Sequence, residues 1–363
     1  LFAEVLRVPA VGIHDNFFDL GGHSLLAMQC LARIAAEGLP GVSIQSFYEN
    51  PSVAALAALM DASTAQILAS SCAVIPRREG AGPRPASSAQ TRLWLEHQLN
   101  PLSPQYNLPY QITLRGPLDV EALRRSLEFL VERHEPLRTV FSFQDGRLTQ
   151  TILPAPPIEL PVTDVADGTM DELLCAAATK CFDLGRDLPW RACLIRSAEH
   201  THALVLVFHH IAFDGWSVGV FCEELSSAYA AFQRGEQPAL PPLPVGYADY
   251  SAWEQDRIGR DPSIQRQLEY WKDRLSGLPD QSILPLDHPR PATPSCRGGT
   301  ETFDLPAALG NELLALCRRQ SASFFMATLA AFQALLWRWS GQTDIAVGVP
   351  TANRAYPQIE NLI

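Results

Sequence analysis

The sequence lacks three features that would point to a familiar kind of site or location. Its eight cysteines include no Cys-x-x-Cys pair, so we expect reduced core thiols and neither zinc nor disulfides. Lysine and arginine number 28 against 39 aspartates and glutamates, and this net charge of −11, without a long basic stripe, argues against a nucleic-acid partner. The most apolar helical run, Phe324 to Trp337, is too short to cross a bilayer, and the N-terminus has no basic-then-apolar leader. We therefore expect a cytoplasmic protein without a membrane partner.

The chain is long and apolar enough for more than one folded unit. Its 363 residues are 47% hydrophobic and 18% charged, which predicts two or three units with proper cores. Residues 1–60 read as a small helical unit, with one helix from Ser24 to about Glu37 and another from Val53 to about Met60. The opening run Leu1–Leu6 has no capping residue ahead of it, as if a helix had been cut into. Residues 61–86 are rich in alanine, serine, proline and glycine and predict a linker.

The remainder mixes the two hydrophobic periods and predicts an α/β region. Asp145–Gly146 is a hairpin turn between two predicted strands, and Gly235 ends a helix whose apolar stripe holds Phe221, Leu225, Ala228 and Phe232. The predicted strands are Tyr110–Leu114, Thr139–Phe143, Leu148–Ile152, Ala203–Phe208 and Ile345–Val349; the further predicted helices follow Asp119 and cover about 307–319 and 323–339.

Ser24 stands at a helix start within the run Asp-Asn-Phe-Phe-Asp-Leu-Gly-Gly-His-Ser-Leu-Leu, residues 15–26. Serine is a common helix cap, but two glycines before it free the backbone, and a helix N-terminus favours a phosphate ester. The run resembles the signature of carrier domains, whose serine bears 4′-phosphopantetheine. The resemblance implies that a phosphopantetheinyl transferase attaches this cofactor to Ser24, and that 1–60 is a peptidyl carrier domain with a truncated first helix.

A second motif, His209-His210-Ile-Ala-Phe-Asp214-Gly215, lies between a buried strand and a helix, where chemistry is commonly displayed. It resembles the His-His-x-x-x-Asp-Gly motif of the condensation domains of nonribosomal peptide synthetases. Four other stretches agree with that family in order and spacing: 87–94, 133–141, 247–253 and 347–354. The resemblance implies a chloramphenicol-acetyltransferase-like fold of two lobes, here 87–262 and an incomplete 263–363, so that the chain alone should expose apolar surface and lack activity.

The resemblance also implies the reaction, in which the amine of an acceptor on a downstream carrier attacks the donor thioester that an upstream adenylation domain helped to load. His210 would take the proton or orient the amine, beside His209, and the Gly215 N–H would face the oxyanion. Asp214 would be structural and paired with Arg133, or as second choice with Arg138. Trp253 would buttress the site or be a plain core aromatic.

The wording of the motifs favours a donor that ends in an L-residue. Ser87-x-Ala-Gln-x-Arg-Leu-Trp is similar to that subtype, and His23 replaces the aspartate typical of carriers that feed an epimerase. The alternatives are a non-catalytic binding module that recruits a tailoring enzyme, an epimerase-type relative, and a CoA-dependent acyltransferase. The intact histidine motif argues against the first, the opening motif against the second, and the fused carrier against the third.

Overall fold

A computed structural model describes residues 1–363 except 23, 38, 40, 41, 43, 63–73, 79, 81, 166–169, 279–283, 290, 292–297, 321 and 355. The chain divides into two compact units. Unit 1 comprises Leu1–Val74 and Arg266–Pro357, and unit 2 comprises Ile75–Gln265 and Gln358–Ile363. The domain ranges predicted from the sequence are not tested by this division and remain predictions.

Among the described residues of unit 1, all the regular secondary structure is helical, and irregular segments join the helices. Its helices are α1 (Phe2–Leu6), α2 (Ser24–Ala36), α3 (Ile44–Glu49), α4 (Val53–Ala62), α11 (Ala307–Arg319) and α12 (Phe324–Ser340), together with most of α10 (Pro262–Arg274), whose first residues belong to unit 2.

Unit 2 is mixed α/β. Its helices are α5 (Ser88–Leu99), α6 (Val120–Arg133), α7 (Met170–Thr179), α8 (Gly215–Gln233) and α9 (Tyr247–Ile258), and its strands are β1 (Arg84–Pro85), β2 (Asn107–Arg115), β3 (Thr139–Gln144), β4 (Arg147–Ile152), β5 (Val162–Asp164), β6 (Trp190–Ala198) and β7 (Thr201–His209).

Three phenylalanine rings lie together in the core of residues 1–62. Phe17 and Phe47 are completely buried, and their rings meet edge to face with centroids 5.1 Å apart. Phe2 of α1 contacts both rings, so even the five-residue first helix contributes to the core. The predicted helices at Ser24 and Val53 are confirmed, whereas α3 had no counterpart among the predictions.

The centre of unit 2 is a four-stranded sheet in the order β2-β7-β6-β5. Strand β7 is antiparallel to β2 and β6, and β5 runs parallel to β6. Because side chains alternate along a strand, β7 faces two cores. Leu204, Leu206 and Phe208 pack with the apolar stripes of α6 and α8, while Ala203, Val205 and Val207 pack on the other face with residues of α5, β3 and β4. The predicted buried strand is thus confirmed and lies in the middle of the sheet.

A second sheet, of order β1-β4-β3, contains the predicted hairpin. Asp145 and Gly146 have φ values of 51° and 76°, the left-handed pair that a tight hairpin turn requires. Strand β1 lies inside the stretch predicted to be a linker, and it was missed because two residues carry no periodic pattern. The predicted cap of α6 is confirmed, since the Asp119 Oδ1 accepts the Ala122 N–H at 2.9 Å.

The second part of unit 1 gives one confirmed and one wrong prediction. Helices α11 and α12 match their predicted ranges, and α12 exposes large apolar side chains such as Phe332, Trp337 and Trp339. The strand predicted at Ile345–Val349 is wrong, because this run is not hydrogen-bonded into a sheet, and a lone strand is not stable. Within the described ranges, no helix is both long and apolar enough to traverse a bilayer.

Candidate carrier serine and condensation site

Ser24 is the first residue of α2, as predicted, and the turn before it is tightly built. Asn16 Oδ1 accepts the Phe18 N–H at 2.8 Å, and the Phe17 carbonyl accepts the Gly22 N–H at 3.0 Å. His23 and the side chain of Ser24 lie outside the described residues. The first N–H groups of a 13-residue helix have no partner within the helix and suit a phosphate ester, so the backbone fits the expected cofactor.

The two glycines before Ser24 have different physical reasons. Gly21 has a φ of 94°, which side chains rarely adopt. Gly22 is needed for space, because a Cβ there would stand 2.3 Å from the Phe17 ring and 2.5 Å from the Phe17 carbonyl oxygen. The turn therefore packs directly on the buried ring of Phe17.

His210 lies in the turn between β7 and α8 and is held by two hydrogen bonds. Its backbone N–H donates to the Tyr106 carbonyl at 2.8 Å, and its Nδ1 lies 2.9 Å from the Phe213 carbonyl oxygen. A carbonyl can only accept, so Nδ1 must carry the hydrogen. In the neutral ring this leaves a lone pair on Nε2, and the side chain is half-buried.

His209, at the end of β7, has a different environment. Its side chain is buried against the rings of His97, Tyr106 and Phe182, and its Nδ1 accepts the Ile211 N–H at 3.1 Å. Burial, followed by the neighbouring His97 and His210, lowers the pKa of His209 to about 3. His209 is therefore a neutral, buried ring that supports the turn.

Asp214 forms the N-terminal cap of α8. Its Oδ1 accepts the Ser217 N–H at 2.8 Å and the Ser217 hydroxyl at 2.6 Å, while the Asp214 N–H donates to the Ser217 hydroxyl at 3.3 Å. This arrangement accounts for a structural aspartate in the motif. Gly215 follows as the first helical residue, whose N–H has no partner within the helix, and a Cβ there would meet nothing within 4 Å.

The predicted ion pair between Asp214 and Arg133 is wrong. The Arg133 Nε lies 3.0 and 3.1 Å from the two carboxylate oxygens of Glu224, and its Nη2 donates to the Pro241 carbonyl at 2.7 Å. His134 completes the cluster, with its Nε2 2.6 Å from Glu224 Oε2. Arg133 is drawn to Glu224 because α6 packs on α8 and both side chains are largely buried there.

Arg138, the second choice, does not bind Asp214 either. Its guanidinium donates to three backbone carbonyls, of Val131, Glu132 and Leu153, and so ties the end of α6 to the end of β4. Trp253 lies in α9 and contacts the Tyr250 ring and the Arg257 guanidinium of its own helix. Its role as a buttress of the site remains a prediction.

Two of the stretches that carry the family resemblance hold each other in place. Ser87 and Gln90 form a reciprocal cap at the start of α5, with the Ser87 hydroxyl accepting the Gln90 N–H at 3.1 Å and Gln90 Oε1 accepting the Ser87 N–H at 2.9 Å. The Ser87 hydroxyl also lies 3.1 Å from the hydroxyl of Tyr247, the first residue of α9. These motif residues therefore stabilise the fold of unit 2.

Residues 358–363 return to unit 2 beside the histidine turn. The Trp216 Nε1–H donates to the Glu360 carbonyl at 2.8 Å, and Ile363 is buried in the core shared by α6 and α8. No pattern in the sequence predicted this contact. Glu224 did have a signal, since it shares the helical face of Phe221, Leu225 and Ala228, and an acid on an apolar stripe requires a partner.

Two family models match the chain. The model described as Condensation domain matches residues 81–363, and the model described as Phosphopantetheine attachment site matches residues 1–60. Within the described residues, no group of three or more histidine, cysteine or acidic side chains converges as a metal ion would require.

Similar proteins are nonribosomal peptide synthetases. The probable non-canonical synthetase CymA of Salinispora arenicola (strain CNS-205) is 42% identical over 371 residues, which cover 100% of this chain and 5% of that protein. The dimodular nonribosomal peptide synthase of Bacillus subtilis (strain 168) is 40% identical over 369 residues, which cover 100% of this chain and 15% of that protein. The chain thus spans a small part of the length of these relatives.

Among solved structures, the X-domain from teicoplanin biosynthesis aligns with a TM-score of 0.74 and 31% identity, covering 80% of this chain and 65% of that one. The predicted fold class, a helical carrier region followed by an α/β domain of the chloramphenicol-acetyltransferase type, is confirmed, as is a carrier region of the kind that holds covalent 4′-phosphopantetheine. The chain belongs to the condensation-domain family of nonribosomal peptide synthetases, here preceded by a carrier domain.

Proposed function

We propose that the condensation domain forms a peptide bond between a donor thioester, presented by the carrier domain of this chain, and the amine of an acceptor on a downstream carrier. The single observation that supports it best is the hydrogen bond from the His210 Nδ1–H to the Phe213 carbonyl. That bond sets the tautomer and leaves Nε2 able to accept a proton. Membership of the condensation family supports peptide-bond formation in general, and the assignment to His210 goes further.

As the amine nitrogen bonds to the thioester carbonyl carbon, the amine loses a proton, the C–S bond breaks, and the donor carrier's sulfur leaves and takes up a proton to become a free thiol. His210 is half-buried and held at both its backbone and its ring, so Nε2 is presented in one orientation, as a base or an orienting group requires. The Gly215 N–H, at the start of α8, is our candidate donor to the developing oxyanion. Asp214 keeps this helix start in place through Ser217. His209 supports the turn as a neutral ring.

Ser24 is the proposed attachment point of 4′-phosphopantetheine, which when bound supplies the thiol that holds the donor as a thioester. The support is the position of Ser24 as first residue of α2, directly after the tight turn on Phe17. This assignment requires two partners, a phosphopantetheinyl transferase and an upstream adenylation domain. We propose that the protein acts in the cytoplasm. The motif wording further supports a donor ending in an L-residue.

The test of His210 is made in a protein that carries residues 1–363 of this chain within a condensation domain as long as those of its relatives. The donor carrier is loaded, a loaded acceptor carrier is added, and product is followed by mass spectrometry in single turnover. His210→Ala should reduce the rate at least 100-fold, the usual contribution of general acid–base catalysis, with donor loading unchanged. His200→Ala, an exposed histidine between β6 and β7, is the matched control. An unchanged rate in His210→Ala would overturn the assignment to His210, whereas no product from the unsubstituted protein would favour the non-catalytic binding module.

The test of Ser24 is independent of catalysis. This chain is treated with a phosphopantetheinyl transferase and CoA and weighed intact by mass spectrometry. The unsubstituted chain should gain one phosphopantetheine, Ser24→Ala none, and Ser226→Ala, an exposed serine of α8, should gain it as the unsubstituted chain does. A gain that survives Ser24→Ala would show that another residue carries the arm.

A further inference from the structure

The second half of the stretch that joins the carrier to the condensation domain is bound to unit 2. Ile75 is 1% exposed, although its neighbours Val74 and Pro76 are exposed. The Ile75 N–H donates to Gln358 Oε1 at 2.9 Å, and the Gln358 Nε2–H donates back to the Ile75 carbonyl at 3.1 Å. One side-chain amide therefore satisfies both backbone groups of one linker residue, as a neighbouring strand would.

A second attachment follows at Arg78. Its N–H donates to Asp249 Oδ1 at 3.0 Å, and its guanidinium pairs with Asp256, both on α9. The Arg84 guanidinium then donates to the Arg78 carbonyl at 3.0 Å and the Gly80 carbonyl at 2.9 Å, so Arg84 holds the backbone at both of these residues. The prolines and glycines that predicted a linker here therefore stand in a segment that is attached to unit 2.

The third attachment is β1. Arg84 and Pro85 pair with β4, the Ala86 N–H donates to the Leu148 carbonyl at 3.1 Å, and the Gln150 side chain donates to the Pro85 carbonyl at 2.9 Å. Proline is tolerated because β1 is the edge of its sheet. The three attachments lie at the start, middle and end of residues 75–86.

We propose that the described residues between 75 and 86 are a fixed anchor for the carrier's tether, and that Gln358 is the positioning residue that sets where the tether begins. This goes beyond the proposed function and does not depend on which residue catalyses. The span left between α4 and the anchor, from Ala62 to Ile75, can reach at most about 45 Å in any conformation. Without the first two attachments, the free span would extend to β1 and reach about 75 Å.

Gln358 also links the tether to the histidine turn. It stands two residues before Glu360, whose carbonyl accepts the Trp216 Nε1–H, and Trp216 follows Gly215 at the start of α8. The segment 358–363 therefore holds the beginning of the tether and the beginning of α8 at once. Lengthening the free span lowers the effective concentration of a tethered carrier by about two- to threefold through chain entropy.

The rate of tryptic cleavage within the anchor reports whether the anchor is open, because trypsin cleaves after Arg77 and Arg78, and both are exposed there. Cleavage of the folded chain requires the anchor to open, so its rate follows the open population. Gln358→Ala, which removes two hydrogen bonds, should speed cleavage there by about 10- to 30-fold, and Gln358→Glu, which keeps the acceptor but loses the donor, by less. Gln144→Ala, an exposed glutamine of β3, should match the unsubstituted chain.

Cleavage after Arg234, 59% exposed beyond α8, serves as the internal reference. The proposal is supported if Gln358→Ala accelerates cleavage at Arg77 and Arg78 while cleavage at Arg234 is unchanged. It is overturned if both rates rise together, since that means general unfolding, or if neither rises. Hydrogen exchange adds a test without any substitution, because the amides of Ile75 and Arg78 should be protected in the unsubstituted chain, and fast exchange of both would contradict the anchor.

Discussion

The cluster of Glu224, Arg133 and His134 offers a demanding test of how α6 and α8 are held together. Glu224 is 8% exposed and is bonded to Arg133 at 3.0 Å and to His134 at 2.6 Å. Glu224→Ala leaves a guanidinium and an imidazole buried without their common acceptor. Removing one partner of a buried ion pair costs about 3–5 kcal/mol, so we expect this loss in the free energy of opening of the α6–α8 pair.

Two matched variants separate charge from shape. Glu224→Gln keeps the volume and one acceptor oxygen, and it should cost about 1–3 kcal/mol, the penalty for a buried donor left unsatisfied. Ser227→Ala, at an exposed position on α8, should change stability by no more than about 0.5 kcal/mol. The expected order of destabilisation is therefore Glu224→Ala, Glu224→Gln, Ser227→Ala.

Native-state hydrogen exchange in low urea is the suitable assay, because it reports the amides of α6 and α8 without assuming that the whole chain unfolds in one step. A loss of 3–5 kcal/mol would raise the exchange rate of their slowest amides by roughly 150- to 5,000-fold. If Glu224→Ala exchanged within threefold of the unsubstituted chain, the cluster would be shown to contribute little to holding the helices together.

Three further predictions follow from single residues. His209 stays neutral down to about pH 3 in the folded chain but binds a proton near pH 6.5 when unfolded. The free energy of unfolding should therefore fall by about 1.4 kcal/mol for each pH unit as the pH falls between these values. Urea unfolding should show a weaker pH dependence in His209→Gln. Gly22→Ala should destabilise the carrier by about 1–3 kcal/mol through its clash with Phe17, lowering its melting temperature, whereas Gly219→Ala, in open space on α8, should not destabilise. Asp119→Ala should cost about 1 kcal/mol in chemical denaturation by removing the α6 cap, and no change would contradict the role of that bond.

Local rules predicted the elements whose cause is local. The cap of α6 at Asp119, the hairpin at Asp145–Gly146 and the buried strand at 203–208 each depend on residues within a few positions of one another. The failures have non-local causes. Strand β1 exists only because β4 pairs with it, and the strand expected at 345–349 has the right composition without a paired neighbour.

The predictions for the candidate site also divide into those with local causes and those with non-local causes. The turn that displays His210 and the cap made by Asp214 are consequences of a few consecutive residues, so the motif located them. The partner of Arg133 lies 91 residues further along, and it is chosen by how α6 and α8 pack, which no spacing in the sequence encodes. Resemblance to a family suggested a carboxylate partner for Arg133, but packing selected Glu224 in place of Asp214.

The bond between Trp216 and Glu360 also has a consequence for how the chain folds as it is made. The two residues are 144 positions apart. At about 5–20 residues per second, a ribosome reaches Glu360 roughly 7–30 s after Trp216, far longer than the hairpin of β3 and β4 needs to form. The β3–β4 hairpin can therefore form before the bond between Trp216 and Glu360 completes the contacts at the start of α8. Until then Trp216 and the core site of Ile363 are uncovered, so the nascent chain exposes apolar surface, which promotes aggregation, during this interval.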